Sequence, residues 1–309
     1  MVISRSQLEK QLVPGLNAIT GLSYKEVTDE HKYLFEQESS NRAFEEETHM
    51  SLFGEAVEKP EGAGITYDDA RELFTARYQH DTMGLAFAIT YEAYEDNLYE
   101  TQSKLKAKAL GRSLASAKEQ KAADVFNKGF DPTVVGGDNQ PLFSNNHPTM
   151  SSDFDNLSAT DLSETALEDD VTKITLFEDD RGILINAQPK YIVVPPQLKW
   201  QIGKILKSEL TTTPTTFGTD GITNANDVNM IKNSAAIPGG YYCNHRLTAN
   251  DAYFIKTDNP NGTKMFSRRK LTTNMEGDFD TDNMRYKATE RYSFGWTDPR
   301  GWLASEGAA

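Results

Sequence analysis

The sequence has one cysteine, Cys243, in 309 residues. A single thiol excludes an internal disulfide framework and fits a reducing compartment. No run of about 18 apolar residues occurs, so no segment reads as a membrane-spanning helix. The start, MVISRSQLEKQ, lacks the apolar stretch of a secretory signal. Bases are in the minority, with 32 Lys and Arg against 46 Asp and Glu and a net charge of −14. Such a chain repels phosphates, which argues against general nucleic-acid binding. Hydrophobic residues make up 38% and the mean hydropathy is −0.60. At this length that still allows one large domain or two modest ones with a real core.

Chemical signatures are missing as well. There is no GxxxxGK[ST], no GxGxxG opening a helix after a strand, no HExxH, no CxxC pair and no GxSxG. Cys243 and His245, in YYCNHR, lack further ligands to complete a metal site and read as structural. In DFDTDNMRYKATE, Asp278, Asp280 and Asp282 match the first three ligand positions of a calcium loop. Asn283 stands where that loop needs glycine, and Thr289 stands where it needs a bidentate glutamate, with Glu290 one position late. The segment therefore reads as an acidic turn before a strand. The three aspartates are weak metal candidates, and a soluble calcium-binding or hydrolytic protein is the reading they would support. No catalytic residue and no cofactor is assigned, and the chain is not read as an enzyme.

What is present is long and thinly apolar. Residues 1–44 read as short helical pieces broken by Pro14-Gly15 and Gly21. Residues 24–72 hold 14 acids and 5 bases, which places −9 of the net charge there. That stretch is either a solvated arm or an arm lying on a basic neighbour. Within it, Met50–Val57 and Ile65–Tyr78 flank the turn sequence EKPEGAG, the pattern of a long polar hairpin that needs a partner surface. GLAFAIT, at 84–90, reads as a core strand. From Glu92 to Asn127 there is no proline and one glycine, Gly111, which predicts a helix of roughly 50 Å. Its acids, among them Glu92 and Glu95, come first, and Lys104, Lys106 and Arg112 follow, an order that suits the helix dipole.

The second half looks more like a packed α/β unit. A helix is expected over 161–180, with Leu167, Val171, Ile174 and Phe177 on one face and Gly182 as its stop. In PKYIVVPPQLKWQ a buried strand meets two prolines, with Pro196 at the first position of a further helix. DNPNG, between DAYFIKT and TKMFSRRKLTT, signals a hairpin. MRYKATERYSFGW alternates over 13 residues, a strand of roughly 43 Å whose apolar face only Glu290 interrupts.

Each of these parts has surface that one compact domain does not need, and each suits a tile whose edges are covered by copies of itself. The stretches LVPGLNAITGLSYKE, FTARYQHDTMGLAFAITYEAYEDNLY, PKYIVVPPQLKWQIGKILKSEL and MEGDFDTDNMRYKATERYSFGWTDPRG resemble tailed-phage major capsid proteins of the HK97 fold, in particular the Mu-like major head subunits. The resemblance runs over nearly the whole chain.

It implies an α+β fold with an N-arm at 1–44 and an E-loop hairpin at 45–83. A P-domain with its spine helix would follow at 84–129, and an α/β A-domain at 130–250. Long P-domain strands would occupy 251–297, and a C-terminal segment, 298–309, would return to the A-domain. It also implies self-assembly into hexamers and pentamers of an icosahedral shell around phage double-stranded DNA, without sequence-specific binding and without a membrane. The place would be the virion, with assembly in the host cytoplasm. Implied partners are a separate scaffolding protein, a portal and a decoration protein, with little or no N-terminal cleavage of this chain. An encapsulin-type cargo shell shares the fold and is the alternative. The expected subunit interface comprises Glu45, Glu46, Glu47, Lys59 and Glu61 on the loop, with Glu92, Glu95, Lys104, Lys106 and Arg112 on the long helix. Arg268, Arg269, Lys270 and Arg285 on the long strands complete it. Acids of 24–72 would meet such bases on another copy, and Lys–Asn cross-linking at Lys59 is not expected.

Overall fold

The computed structural model describes residues 5–90, 99–211, 227–278 and 283–308. Expectations for Glu92, Glu95, Asp280 and Asp282 lie outside the described residues. The helices are α1 (Arg5–Glu26), α2 (His31–Leu34), α3 (Tyr99–Asn127), α4 (Glu164–Thr175), α5 (Lys199–Lys207) and α6 (Met230–Asn233). The strands of the first half are β1 (Glu36–Ser39), β2 (Phe44–Ser51), β3 (Arg71–Gln79) and β4 (Asp81–Ile89). Those of the middle are β5 (Leu157–Ser158), β6 (Pro189–Val194), β7 (Leu210–Thr211), β8 (Asp227–Val228) and β9 (Tyr241–Cys243). The last four are β10 (Tyr253–Thr257), β11 (Thr263–Gly277), β12 (Met284–Trp296) and β13 (Trp302–Ser305).

The chain forms two compact units. One comprises Met1–Glu45, Tyr78–Ala122 and Met265–Phe294. The other comprises Glu46–Arg77, Ala123–Lys264 and Gly295–Ala309.

In the first unit α1 and α3 cover a four-stranded sheet of order β1-β11-β12-β4. The apolar stripe of α3 is thin, and the members that pack in this unit's core are small or singly branched: Ala107, Leu110 and Leu114. They pack with Leu16 of α1 and with Tyr286 and Ala288 of β12. Gly111 allows this closeness, because a Cβ there would lie 2.5 Å from the Thr20 carbonyl oxygen and 3.1 Å from the Tyr24 nitrogen. α1 runs unbroken through Pro14-Gly15 and Gly21, where broken pieces were expected. An interior proline costs a helix about 3 kcal/mol, and burial of Leu16, Thr20 and Ser23 against the unit opposes that cost.

β12 covers the predicted 13 residues, and it keeps its alternation through the acid, so Glu290 is buried with Tyr286, Ala288 and Tyr292. β4 pairs with β12 from Met284↔Ile89 to Tyr292↔Asp81. It is an edge strand, not the core strand expected of GLAFAIT, and Leu85 remains 46% exposed. With one neighbour and one covered side, its apolar residues outnumber the places available to bury them.

In the second unit a mixed five-stranded sheet has the order β5-β13-β10-β6-β9. β10 is antiparallel to both β6 and β13, while β6–β9 and β13–β5 are parallel. All five residues of β10 are buried. Period-2 alternation sends Tyr253 and Ile255 to one face, where they join Ile192, Val194 and Leu303 under α4, α5 and α6. Phe254 goes to the other face, against the rings of Phe126, Phe143 and Phe130.

Three local expectations change. DNPNG turns the chain, with Asn261 left-handed at φ 62°, but it joins strands of different sheets and not a hairpin, because both edges of β10 are taken by β6 and β13. The helix expected over 161–180 spans only Glu164–Thr175, capped by Ser163, whose hydroxyl accepts from the Ala166 N–H at 3.1 Å. Beyond it Gly182, at φ 82°, serves the turn that bridges Glu178 and Leu184. After Pro195-Pro196, a turn closed by the Leu198 N–H on the Pro195 carbonyl (3.2 Å) precedes α5, which therefore starts at Lys199.

Candidate assembly interface

The expected interface residues sit on elements with much free surface. β2 and β3 form a two-stranded sheet of their own, shorter than the hairpin read from the sequence. Between them residues 52–70 have no helix or strand, and Leu52, Phe53, Val57, Ile65 and Tyr67 are exposed, Tyr67 to 94%. Lys59 and Glu61 stand in this segment and are exposed. Five large apolar side chains in water on one loop form a surface that another protein surface would stabilise.

The loop's base is tied down within the second unit. Arg181 Nη2 donates to Asp68 Oδ1 (3.2 Å) and to the Asp69 carbonyl (2.9 Å), and its Nε donates to Ser51 Oγ (3.2 Å). Below this, His49 Nε2 lies 2.8 Å from Asp180 Oδ2, and Arg300 Nη2 donates to Asp180 Oδ1 at 3.0 Å. Asp180 is 1% exposed. Burial pushes its carboxyl up, but His49 and Arg300 overcome this and hold it below the usual carboxylate range. His49 is raised: burial opposes its charge, and the hydrogen bond to Asp180 and the field of Asp298 outweigh burial.

The three consecutive glutamates have partners in their own chain. Glu45 Oε1 accepts from Ser40 Oγ at 2.6 Å, and its other oxygen is 3.8 Å from Arg42. Glu46 is 3.7 Å from Arg77, both well exposed, a pair worth under about 1 kcal/mol. Glu47 accepts from Lys264 Nζ at 2.5 Å and from Thr297 Oγ1 at 2.6 Å. Lys104, Lys106 and Arg112 are exposed along α3. On β11, Arg269 Nη2 donates to Thr289 Oγ1 (3.1 Å) and Lys270 is exposed, while Arg268 has a buried Nε without a partner. Arg285 Nη2 donates to Asp278 Oδ2 at 2.5 Å, and the Asp278 N–H closes on the Asn283 carbonyl, so Asp278 serves a turn.

Arg269 and Lys270 also line a cavity of about 550 Å³ in the first unit, together with Tyr24, Lys118, Glu290 and Tyr292. Tyr24 donates to Glu290 Oε2 at 2.8 Å, with Lys118 Nζ at 4.0 Å. Burial raises the carboxyl of Glu290 above the usual range against both contacts.

Sequence reasoning missed the buried histidines. His147 Nδ1 is 2.6 Å from Asp138 Oδ2 and its Nε2 is 3.2 Å from Asn156 Oδ1, so both ring nitrogens are taken by structural partners. His31 Nδ1 is 2.5 Å from Glu119 Oε1, while its backbone N–H donates to Oε2 at 2.7 Å. Asp29 completes a trio of metal-ligand type with these two, but it pairs with Lys32, and Gln37 meets the other ring nitrogen of His31. The trio reads as an anchor for the start of α2. No sequence signal links these partners, which stand up to 88 positions apart. Among the described residues no helix is long and apolar enough to cross a membrane.

The architecture matches solved shells. A virus-like particle from Pyrococcus furiosus aligns with TM-score 0.54 at 10% identity, covering 94% of this chain and 97% of that one. The capsid of cyanophage P-SCSP1u aligns with TM-score 0.54 at 12% identity, covering 89% and 86%. The mature capsid of bacteriophage PhiM1 aligns with TM-score 0.52 at 11% identity, covering 88% and 84%. No curated protein matches the sequence. The fold is thus α+β and of the HK97 type, the class that builds closed protein shells. The family model described as phage capsid protein matches residues 72–305, and the chain belongs to that family. It is a shell-forming capsid protein that assembles with copies of itself, and its place is the capsid of the virion.

Proposed function

We propose that this chain is the tile of an icosahedral head, arranged as hexamers and pentamers around double-stranded DNA. The observation that carries the reading is the exposed 52–70 segment, whose five large apolar side chains find no cover in their own chain. Cover by a neighbouring copy would bury them, with Lys59 and Glu61 at the loop's far end. Lys104, Lys106 and Arg112 on α3 and Lys270 on β11 are exposed bases that an acidic neighbour could face, while Arg269 and Arg285 already donate to Thr289 and Asp278. Glu47 is held by Lys264 and Thr297, and Glu46 only by an exposed, weak contact with Arg77, so Glu46 and the exposed Glu61 are the better acids for that role.

In this reading residues 1–44 act as the arm, 45–83 as the extended loop, 84–129 and 251–297 as the peripheral domain, and 130–250 with 298–309 as the axial domain. The protein works as structure and not as a catalyst. It assembles in the host cytoplasm with a separate scaffold, a portal and a decoration protein. A net charge of −14 supports a shell that holds DNA without gripping it.

The test is electron microscopy with sedimentation on the protein expressed with and without its neighbouring genes. Shells or six- and five-fold rings support the reading, and a monomer under both conditions refutes it. The likeness to a virus-like particle keeps a cargo shell as the second reading, and nucleic acid or packaged protein inside the purified shells separates the two.

A further inference from the structure

The chain crosses between the two units at Glu45/Glu46 and again at Arg77/Tyr78, the two ends of the β2–β3 root. His80 sits next to the second crossing and is 4% exposed. Its Nε2 is 2.9 Å from Ser40 Oγ, and its Nδ1 is 2.9 Å from Ser293 Oγ. Ser40 in turn donates to Glu45 Oε1 at 2.6 Å, and its oxygen accepts from the Arg42 N–H at 3.1 Å. An ionised carboxylate only accepts, so the single hydroxyl proton of Ser40 points at Glu45. His80 Nε2–H must then donate to Ser40, and Nδ1 accepts from the Ser293 hydroxyl. The relay Ser293→His80→Ser40→Glu45 uses every proton once with a neutral ring. It ties β12, the β3–β4 link and the β1–β2 link to the first residues of β2, all within the first unit.

A second ring proton reverses the first link of the relay. Nδ1–H would then donate to Ser293 Oγ, and the Ser293 hydroxyl, itself only 2% exposed, must turn its own proton away from the ring, while the ring's charge is buried. The charged groups facing the ring are Arg291 from β12, Arg268 from β11, Glu45 from β2 and Asp81 from β4. Arg291 Nε already donates to the His80 carbonyl at 3.4 Å. Arg268, whose buried Nε has no acceptor, adds a second positive charge that repels a protonated ring.

We propose that His80 is a proton-sensitive clasp at the root of the β2–β3 hairpin, closed while the ring is neutral and released when it is protonated. Burial, reinforced by Arg291 and Arg268, holds the imidazole below its ordinary value against the opposing pull of Glu45 and Asp81. The closed root therefore binds a proton less readily than the open one. It keeps its full stability above the ordinary histidine value of about 6.5 and loses stability as pH falls below it. The ratio of open to closed rises by up to about tenfold per pH unit until the lowered value of the ring is reached.

Hydrogen–deuterium exchange on the full chain reads this directly, as protection factors corrected for intrinsic pH dependence. Peptides over 40–51 and 71–82 should lose protection between about pH 7.5 and about pH 5, by up to about thirtyfold, while peptides of β10 and β13 hold theirs. His80→Gln keeps a donor near Nε2 and cannot titrate, so its root should change less than about twofold. Equal protection of the wild-type root at both pH values, or the same acid loss in His80→Gln, overturns the proposal. Glu45→Gln provides a test that does not depend on that variant folding. Removing the carboxylate charge makes the closed ring harder still to protonate, so the root must open at higher pH, or further at about pH 5, than in wild type, and unchanged or reduced opening overturns the clasp.

Discussion

Replacing Gly111 by alanine sets two physical effects against each other. In an ordinary helix interior the change stabilises by about 1 kcal/mol, because alanine loses less backbone freedom on folding. At position 111 the added Cβ would lie 2.5 Å from the Thr20 carbonyl oxygen, 3.1 Å from the Tyr24 nitrogen and 3.3 Å from Ser23 Cβ. The first two are backbone atoms of α1, so no side-chain rotation relieves the contact. α1 must retreat by about 1 Å, which also loosens Leu16 against Ala107, Leu110 and Leu114. Overpacking of this kind costs about 1–3 kcal/mol before the lost contacts are counted. The net expectation is a destabilisation of about 1–3 kcal/mol despite the better helix propensity. Gly21→Ala is the matched control, since nothing lies within 4 Å of the place its methyl group would take and propensity alone should stabilise it by about 0.5–1 kcal/mol. Urea unfolding of the unassembled protein, followed by far-ultraviolet circular dichroism, measures both. A Gly111→Ala midpoint equal to or above wild type would refute backbone contact between α1 and α3.

Three further outcomes are expected. Lys264→Met removes the cation 2.5 Å from Glu47 and should cost about 2 kcal/mol in denaturant unfolding, below the roughly 3–5 of a fully buried pair because Glu47 keeps Thr297 and some water. The His49–Asp180 contact should give a stability plateau: the Asp180 contribution is full above the ordinary carboxylate range and is lost as pH falls through its lowered value. The His49 contribution is full below about 6.5 and is lost as pH rises through its raised value. Melting across pH should therefore show an alkaline limb that His49→Gln abolishes, and identical alkaline profiles would sink the assignment. Replacing Phe53, Ile65 and Tyr67 with serine should leave the melting of the unassembled chain within about 1 kcal/mol of wild type while reducing shell yield in sedimentation. A loss of monomer stability instead would mean that these side chains pack within the chain.

Much of the fold was legible because its elements carry their own periodicity. β12 alternates residue by residue, and its predicted ends, Met284 and Trp296, are those found. The proline-free run ending at Asn127 is a helix because its residues favour one regardless of neighbours. The strand before Pro195-Pro196 is a continuous apolar run, as a strand covered on both faces must be. Pairing was less legible. Two β-rich segments around DNPNG look like a hairpin from either side, and only competition from β6 and β13 for the edges of β10 decides otherwise. α1 passes Pro14 for the same kind of reason, since its stability comes from packing on the first unit.

By itself, then, the sequence determined the element types, the long thin helix and strand, and the family to which the chain belongs, since these follow from local propensity, alternation and wording along the chain. Tertiary structure alone decided which charges meet. Glu47 finds Lys264, Asp180 finds His49 and Arg300, and His80 finds Ser40 and Ser293 across separations of up to 217 positions. A carboxylate's partner depends on which surfaces fold together, and no periodicity along the chain records that.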